Sequence, residues 1–292
     1  MGGLLSDTIV LVEPPREQSA RSILSPTSGF IAAAGFTHSL TPARNCTFGC
    51  TYCYVPTMRV QGGLQREDWE RWGQFTTFKA NAAQLLLQKR TPPDARTYCS
   101  PLTDPYQPAE AARSLMREIL PALGHPLLFT IQTRGPLIVR DIDLLSALAA
   151  RGVDVRISFS LTTNREDIRR WYEPHCAPLA ERLAAIAALR AAGLRTFATL
   201  APLLPCDPEA LADAAIAATS ENVIGDPFHT RATKRRGATT RPQALRISEV
   251  RGLNDWHQPA YQAEIVARIA ARVHASGREF RIGPEGFRWL AT

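Results

Sequence analysis

The sequence predicts an α/β fold: a partial (β/α)6 barrel of TIM type followed by a small C-terminal appendage. Three observations carry that expectation. Strand-like and helix-like segments alternate six times along the chain between residues 36 and 225. At 292 residues the chain is long enough to bury a large α/β core. The cysteines gather in a loop that directly follows the first strand, where barrels of this kind place their functional residues.

The elements follow in order. Phe36–Leu40 reads as a short strand that delivers the chain into the cysteine loop. Residues 79–90 form the first helix, with Ala82, Leu85 and Leu86 at helical spacing. Strand 96–100, helix 108–120, strand 126–132 and helix 141–151 come next, then strand 153–160 and an Ala/Leu-rich helix 178–192 closed by Gly193. Strand 194–200, helix 208–218 and a sixth strand, 221–225, complete the series. Such alternation implies a parallel sheet with right-handed crossovers, and six units are two short of a closed eightfold barrel. Residues 1–35, rich in Pro, Ser and Gly and without a sustained period, are expected to drape over residues 36–225 as an extension. Residues 226–292 form the appendage, with a helix at 259–275 and a short strand at 279–282.

Composition narrows the classes. Hydrophobic content of 45% and charged content of 21% are ordinary for a soluble globular chain. No run approaches the roughly 18 apolar residues of a membrane span. Three of the six cysteines fall within eight residues, which reads as a metal loop rather than a disulfide framework and predicts a reducing cytoplasm. Thirty-four basic against 27 acidic residues give a net charge of +7. The excess crowds into Arg231, Lys234, Arg235, Arg236 and Arg241, a basic loop that reads either as a solvated charge run or as a grip on a polyanion such as DNA.

The stretch Asn45-Cys46-Thr47-Phe48-Gly49-Cys50-Thr51-Tyr52-Cys53-Tyr54 organises the rest. Three thiols with three and two residues between them can fold over one corner of a cube-shaped cluster, with Gly49 allowing a tight turn. Three protein ligands for four irons leave one iron open, the mark of a reactive rather than a closed structural site. A zinc knot, taking its fourth ligand from His38, Cys99 or Cys176 and organising a nucleic-acid-binding module, is the alternative. Zinc sites usually pair CxxC with a second pair, and none is present.

The CxxxCxxC spacing, with an aromatic residue before the last cysteine, resembles the signature of radical S-adenosylmethionine (SAM) enzymes. That resemblance implies the barrel type above, a 4Fe-4S cluster on Cys46, Cys50 and Cys53, and SAM on the open iron, cleaved after reduction to a 5'-deoxyadenosyl radical. It also implies an external one-electron reductant of flavodoxin or ferredoxin type. Further stretches are similar to the spore photoproduct lyase-like branch: Ser39–Pro42, Thr103–Pro108, Arg140–Leu145, Glu173-Pro174 and Arg182. The branch implies a DNA-repair or nucleic-acid-modifying activity, with radical modification of a peptide or small molecule as the alternative.

Ser100, Thr103 and Asp104 after the second strand, Arg134 after the third, and Ser158 and Ser160 at the end of the fourth are the candidate SAM-binding residues. Hydroxyls, a carboxylate and a guanidinium complement the ammonium, carboxylate and ribose of SAM. Taken without the resemblance, the same side chains read equally as turn caps and turn formers. Glu173 and Arg182 are expected to pair with each other. The resemblance gives Cys99 the part of hydrogen donor to a product radical, with Tyr52 and Tyr54 in the relay; the plain alternative is a buried small apolar side chain. Replacing Cys46, Cys50 or Cys53 by Ala is expected to abolish cluster assembly in each case, read as loss of the roughly four irons per chain that anaerobic reconstitution supplies.

Overall fold

The computed structural model describes residues 12–59, 63–230, 234 and 239–292. Its strands, in chain order, are β1 (Arg16–Gln18), β2 (Leu24–Pro26), β3 (His38–Leu40), β4 (Ala43–Arg44), β5 (Thr77–Lys79), β6 (Arg96–Cys99), β7 (Leu128–Thr133), β8 (Asp154–Ser160), β9 (Arg195–Leu200), β10 (Val223–Gly225) and β11 (Phe280–Ile282).

The large sheet has the order β11-β10-β9-β8-β7-β6-β3-β2. From β3 through β10 to β11 every pairing is parallel, and β2 joins the opposite edge antiparallel to β3. The six expected barrel strands are thus present in the expected order, and the two edges do not pair with each other. Residues 24–26 and 280–282, which lie in the segments read as extension and appendage, extend the same sheet at its two ends. A separate three-stranded sheet, β1-β5-β4, flanks the start of the barrel.

The helices depart from expectation in instructive ways. Segment 108–120 is two helices, Glu110–Arg113 and Leu115–Ala122, because Ser114 adopts a left-handed conformation with φ 54°. The Glu110 carboxylate then accepts from the backbone N–H groups of Leu115 and Met116 at 3.1 and 2.9 Å, satisfying donors that the break exposes. The first helix is not at residue 79: short helices at Gly29–Ala33, Val55–Met58 and Arg66–Glu70 precede Ala82–Gln88, each too brief to give a sequence period. The helices Ile142–Ala150, Leu179–Ala191, Pro208–Ala218 and Pro259–Ala275 lie within a residue or so of their expected bounds. None of the described helices is long and apolar enough to cross a membrane.

Strand alternation divides the sheet into two faces. Leu40, Cys99, Ile131 and Ile157 lie in one register row and pack under the surrounding helices in the main core. The opposite face lines the barrel. Near the N-terminal ends of the strands it is apolar: Tyr98, Leu128, Phe197 and Ile224 form a second core with Phe36 and with Phe287, Leu290 and Ala291 from the C-terminus. That plug is hydrogen-bonded in place. Thr130 donates to the Leu290 carbonyl at 2.7 Å, and the Arg156 guanidinium reaches the carbonyls of Trp289 and Thr292 at 2.6 and 2.9 Å. Toward the C-terminal ends the same face turns polar, with Gln132, Ser158, Ser160 and Thr199. One end of the barrel is therefore sealed and the other is chemically equipped.

Phe287 is buried against Phe30 with ring centroids 5.1 Å apart. Phe287→Ala is expected to cost about 3 kcal/mol, seen as a lowered thermal midpoint by circular dichroism with the folded-state spectrum retained.

Candidate active site

The cysteine loop sits at the polar end, between β4 and the helix Val55–Met58. Asn45 fixes it from below. Fully buried with φ 61°, Asn45 accepts from the N–H groups of Cys46 and Gly73 at 2.7 and 2.9 Å and donates to the carbonyls of Asp68 and Arg71 at 3.3 and 3.1 Å. Every polar group of the side chain acts as a joint. Gly49 (φ 59°) and Gly73 (φ 92°) then pack backbone to backbone: a Cβ on Gly73 would lie 2.7 Å from the Gly49 Cα. Only a glycine pair permits that approach.

A second clamp comes from the loop after β6. The Gln107 side-chain oxygen accepts from the Thr47 N–H at 2.7 Å and from its hydroxyl at 3.1 Å, and Thr47 Oγ1 accepts from the Ala109 N–H at 3.2 Å. The amide nitrogen of Gln107 is buried without a partner in the protein. An orphaned donor beside the loop is what a site shaped around an absent acceptor contains.

Cys46, Cys50 and Cys53 are all free thiols, the first two buried and the third half-buried. Burial raises Cys46 well above the ordinary thiol range and pushes Cys53 up to about 12. Such desolvated thiols ionise once a metal centre supplies the compensating charge. Free sulfurs, a glycine-built turn and an unmatched donor together fit an iron–sulfur cluster held at this loop.

Behind the loop lies a buried ionic node. Glu173, fully buried, accepts from Tyr52 and Arg182 at 2.5 Å each and from Thr162 at 2.7 Å, and pairs with Arg134. Arg134 also donates to the Tyr52 hydroxyl. Arg182 further donates to the carbonyls of Ala177 and Ser160 at 2.9 and 3.3 Å. Burial alone would raise the Glu173 carboxyl, but the Arg182 and Arg134 charges, with the Tyr52 and Thr162 bonds, hold its pKa at about 2. The expected Glu173–Arg182 pair is present, and sequence reading missed that it also captures Arg134 and Tyr52.

The remaining candidate residues separate. Asp104 spends its carboxylate on its own chain, accepting from the Tyr106 N–H, the Thr133 hydroxyl and the Arg134 N–H at 2.9, 2.7 and 2.8 Å; burial nonetheless leaves its pKa raised. Ser100 and Thr103, both buried, face each other at 3.4 Å. Ser158 bonds Thr199, and Ser160 accepts from Gln132 at 2.8 Å, so both point into the barrel. Tyr54 is exposed at the rim, its hydroxyl donating to the Pro101 carbonyl at 2.7 Å, whereas Tyr52 is buried in the node. Cys99 is fully buried in the helix-facing row, level with Leu40 and Ile131. Cys176 has its sulfur 3.8 Å from that of Cys50, with Glu173 also within 4.8 Å of both.

The ends of the basic segment come to this mouth. Thr240 donates to the Tyr52 carbonyl at 3.3 Å. The half-buried Arg241, its pKa lowered by burial, lies close enough to Cys53 and Cys50 to interact with their charge. Arg231, Arg235 and Arg236 lie outside the described residues.

Comparison with known proteins gives a consistent picture. The family model for the radical SAM superfamily matches residues 40–215. The uncharacterized protein Rv2578c of Mycobacterium tuberculosis is 35% identical over 181 residues, 60% of this chain and 52% of that protein. The uncharacterized protein MJ0683 of Methanocaldococcus jannaschii is 24% identical over 160 residues, 55% and 58% of the two chains. The chain thus spans about half the length of these relatives. Among solved structures, a mutant spore photoproduct lyase with dinucleoside spore photoproduct superposes with a TM-score of 0.53 at 16% identity, covering 91% of this chain and 80% of that one. The likeness is one of fold.

Two outcomes follow from the geometry. Because the Glu173 pKa is depressed, its contribution to stability is full above the unfolded carboxyl value near 4.5 and is lost as pH falls toward 2. Acid titrations are therefore expected to show wild type losing stability over that window, while Glu173→Gln is less stable at neutral pH by about 3 kcal/mol and flatter below pH 4.5. Cys99→Ala is expected to retain full iron content; loss of iron would make Cys99 a ligand.

Proposed function

The chain belongs to the radical SAM superfamily, and from that premise we propose that it is a SAM-cleaving enzyme that acts on a nucleic acid, with damaged DNA as the substrate class. The observation that carries the reading is the placement of the CxxxCxxC loop at the polar mouth of the barrel, with the basic segment around Arg241 returning to the same mouth. Superfamily enzymes use a 4Fe-4S cluster and SAM, and draw their electron from an external reductant; a flavodoxin or ferredoxin is the proposed donor. When bound and reduced, the cluster supplies the electron that turns SAM into a source of a hydrogen-abstracting 5'-deoxyadenosyl radical.

The protein's own residues do the rest. Cys46, Cys50 and Cys53 would hold the cluster. Asn45 and Gln107 brace the loop backbone at Cys46 and Thr47. Ser158 and Ser160 on the polar face, with Ser100 and Thr103 in the loop after β6, would receive SAM. Arg134 and Asp104 are placed as positioning residues: Asp104 holds the Arg134 backbone, and the Arg134 guanidinium, anchored on Glu173, keeps one edge for a carboxylate. The apolar plug at the opposite end closes the lumen to water from that side.

A target base must leave its stack to reach a barrel interior, and flanking phosphates then need cations at the rim. Arg241 and Lys234, with Arg231, Arg235 and Arg236 in the same segment, supply that charge. Spore photoproduct lyase, whose fold this chain shares, is a protein seen with a dinucleoside photoproduct, and the same substrate class is proposed here. In this reading Tyr52 stays with the Glu173 node, Tyr54 stands at the rim, and Cys99 is a core residue rather than a hydrogen donor.

The reading is checked by anaerobic turnover of the reconstituted, dithionite-reduced chain with UV-irradiated DNA. Formation of 5'-deoxyadenosine with restored thymines is expected, together with DNA binding that weakens steeply with salt. Neutralising Arg235 and Arg236 is expected to reduce that salt slope by about two. Uncoupled 5'-deoxyadenosine without change in DNA, and binding indifferent to salt, would direct the search to a peptide or small molecule.

A further inference from the structure

Cys176 stands apart from the cysteine motif by more than 120 residues, yet its sulfur lies 3.8 Å from that of Cys50, and both are buried. The position is over-determined. The Thr51 N–H and hydroxyl both donate to the Tyr172 carbonyl, at 2.9 and 3.2 Å, binding the turn that carries Cys176 to the cysteine loop. The Cys176 N–H bonds the Glu173 carbonyl at 3.0 Å, and Arg169 donates to the carbonyls of Glu173 and Cys176 at 3.2 and 2.5 Å. Arg182, anchored on Glu173, holds the next carbonyl, that of Ala177.

We propose that Cys176 is a positioning residue of the cluster: its S–H donates a hydrogen bond to the sulfur of the ligand Cys50 and raises the cluster's reduction potential. The inference rests on the assignment of Cys46, Cys50 and Cys53 as ligands. In that assignment Cys50 is the thiolate of its own iron, so a second sulfur 3.8 Å from it neighbours the ligand atom rather than replacing it. A bound thiolate has no hydrogen to give, so in the S···S contact Cys176 is the donor. Hydrogen bonds to ligand sulfurs and nearby charge are among the levers that set a cluster's potential.

Charge in the same pocket acts in the same direction. Arg134 and Arg182 face a single carboxylate, Glu173, so the buried charge beside Cys50 is net positive. A cluster that gains an electron becomes more negative, and both the S–H dipole and the excess guanidinium favour that state. In cluster chemistry that depends on accepting an electron from a reductant of limited strength, this is where the chain adjusts the driving force.

The test uses the full chain, reconstituted anaerobically, as wild type, Cys176→Ala and Cys176→Ser. Iron is counted per chain, and the reduced fraction is followed by electron paramagnetic resonance through a redox titration. The expected result is unchanged iron in all three and a midpoint shifted to more negative potential in Cys176→Ala, so that at the wild-type midpoint its reduced fraction falls clearly below one half. Cys176→Ser, which keeps a donor, should lie nearer to wild type. Coincident midpoints in wild type and Cys176→Ala would overturn the proposal, as would loss of iron from Cys176→Ala, which would make Cys176 a ligand. A wild-type chain that takes up no iron would instead overturn the ligand assignment beneath it.

Discussion

The buried Glu173 carboxylate is the constraint on which the site's architecture depends. It gathers Tyr52 from the cysteine loop, Arg134 from the end of β7, Thr162 from the segment after β8 and Arg182 from the helix Leu179–Ala191. A charge at zero exposure is tolerable only when such partners surround it, and each partner is then locked by the cost of leaving the carboxylate unpaired. Four elements that need not otherwise meet are thereby held at one depth, directly behind Cys50.

The barrel supplies the polarity that such a site requires. Its inner face changes from aromatic and aliphatic near the N-terminal strand ends to hydroxyl and amide near the C-terminal ends. The apolar half is filled by chain from both termini, with Phe36 and Ala34 on one side and Phe287, Leu290 and Ala291 on the other. A partial barrel leaves two edges, and β2 and β11 continue the sheet at both. The segments before and after the barrel thus pack its apolar end and lengthen its sheet.

Chain beyond the sixth barrel strand also shapes that mouth. Phe228 stacks edge-on against both Tyr52 and Tyr172 with centroids 6.2 Å apart, and Gln262 from the helix Pro259–Ala275 donates to its carbonyl at 3.0 Å. Thr240 returns to the Tyr52 backbone and Arg241 to the neighbourhood of the sulfurs. Positive charge is consequently brought toward the cysteines by Arg241, next to the Thr240 that bonds the cysteine loop.

What the sequence determined by itself was whatever depends on neighbours along the chain. The spacing of Cys46, Cys50 and Cys53 defined the metal loop and hence the family, since three residues and two residues between thiols are a local geometric fact. The six strands were legible because a buried parallel strand is a short apolar run between helices of regular period. Brief helices such as Arg66–Glu70 and the break at Ser114 were not, because a single turn gives no period and a left-handed serine leaves no mark in composition. Tertiary structure decided which polar residues meet. Cys99 and Ser100 are consecutive, yet Cys99 is the last residue of β6 and lies in the main core, while Ser100 belongs to the loop that follows and meets Thr103. Cys176 lies far from the cysteine motif along the chain, and only the docking of the turn after Tyr172 on Thr51 sets it beside Cys50. Glu173 and Arg182 announced a pair nine residues apart, but the capture of Tyr52 and Arg134, 121 and 39 residues away, required the folded barrel, because buried charge finds its partners through space and not along the sequence.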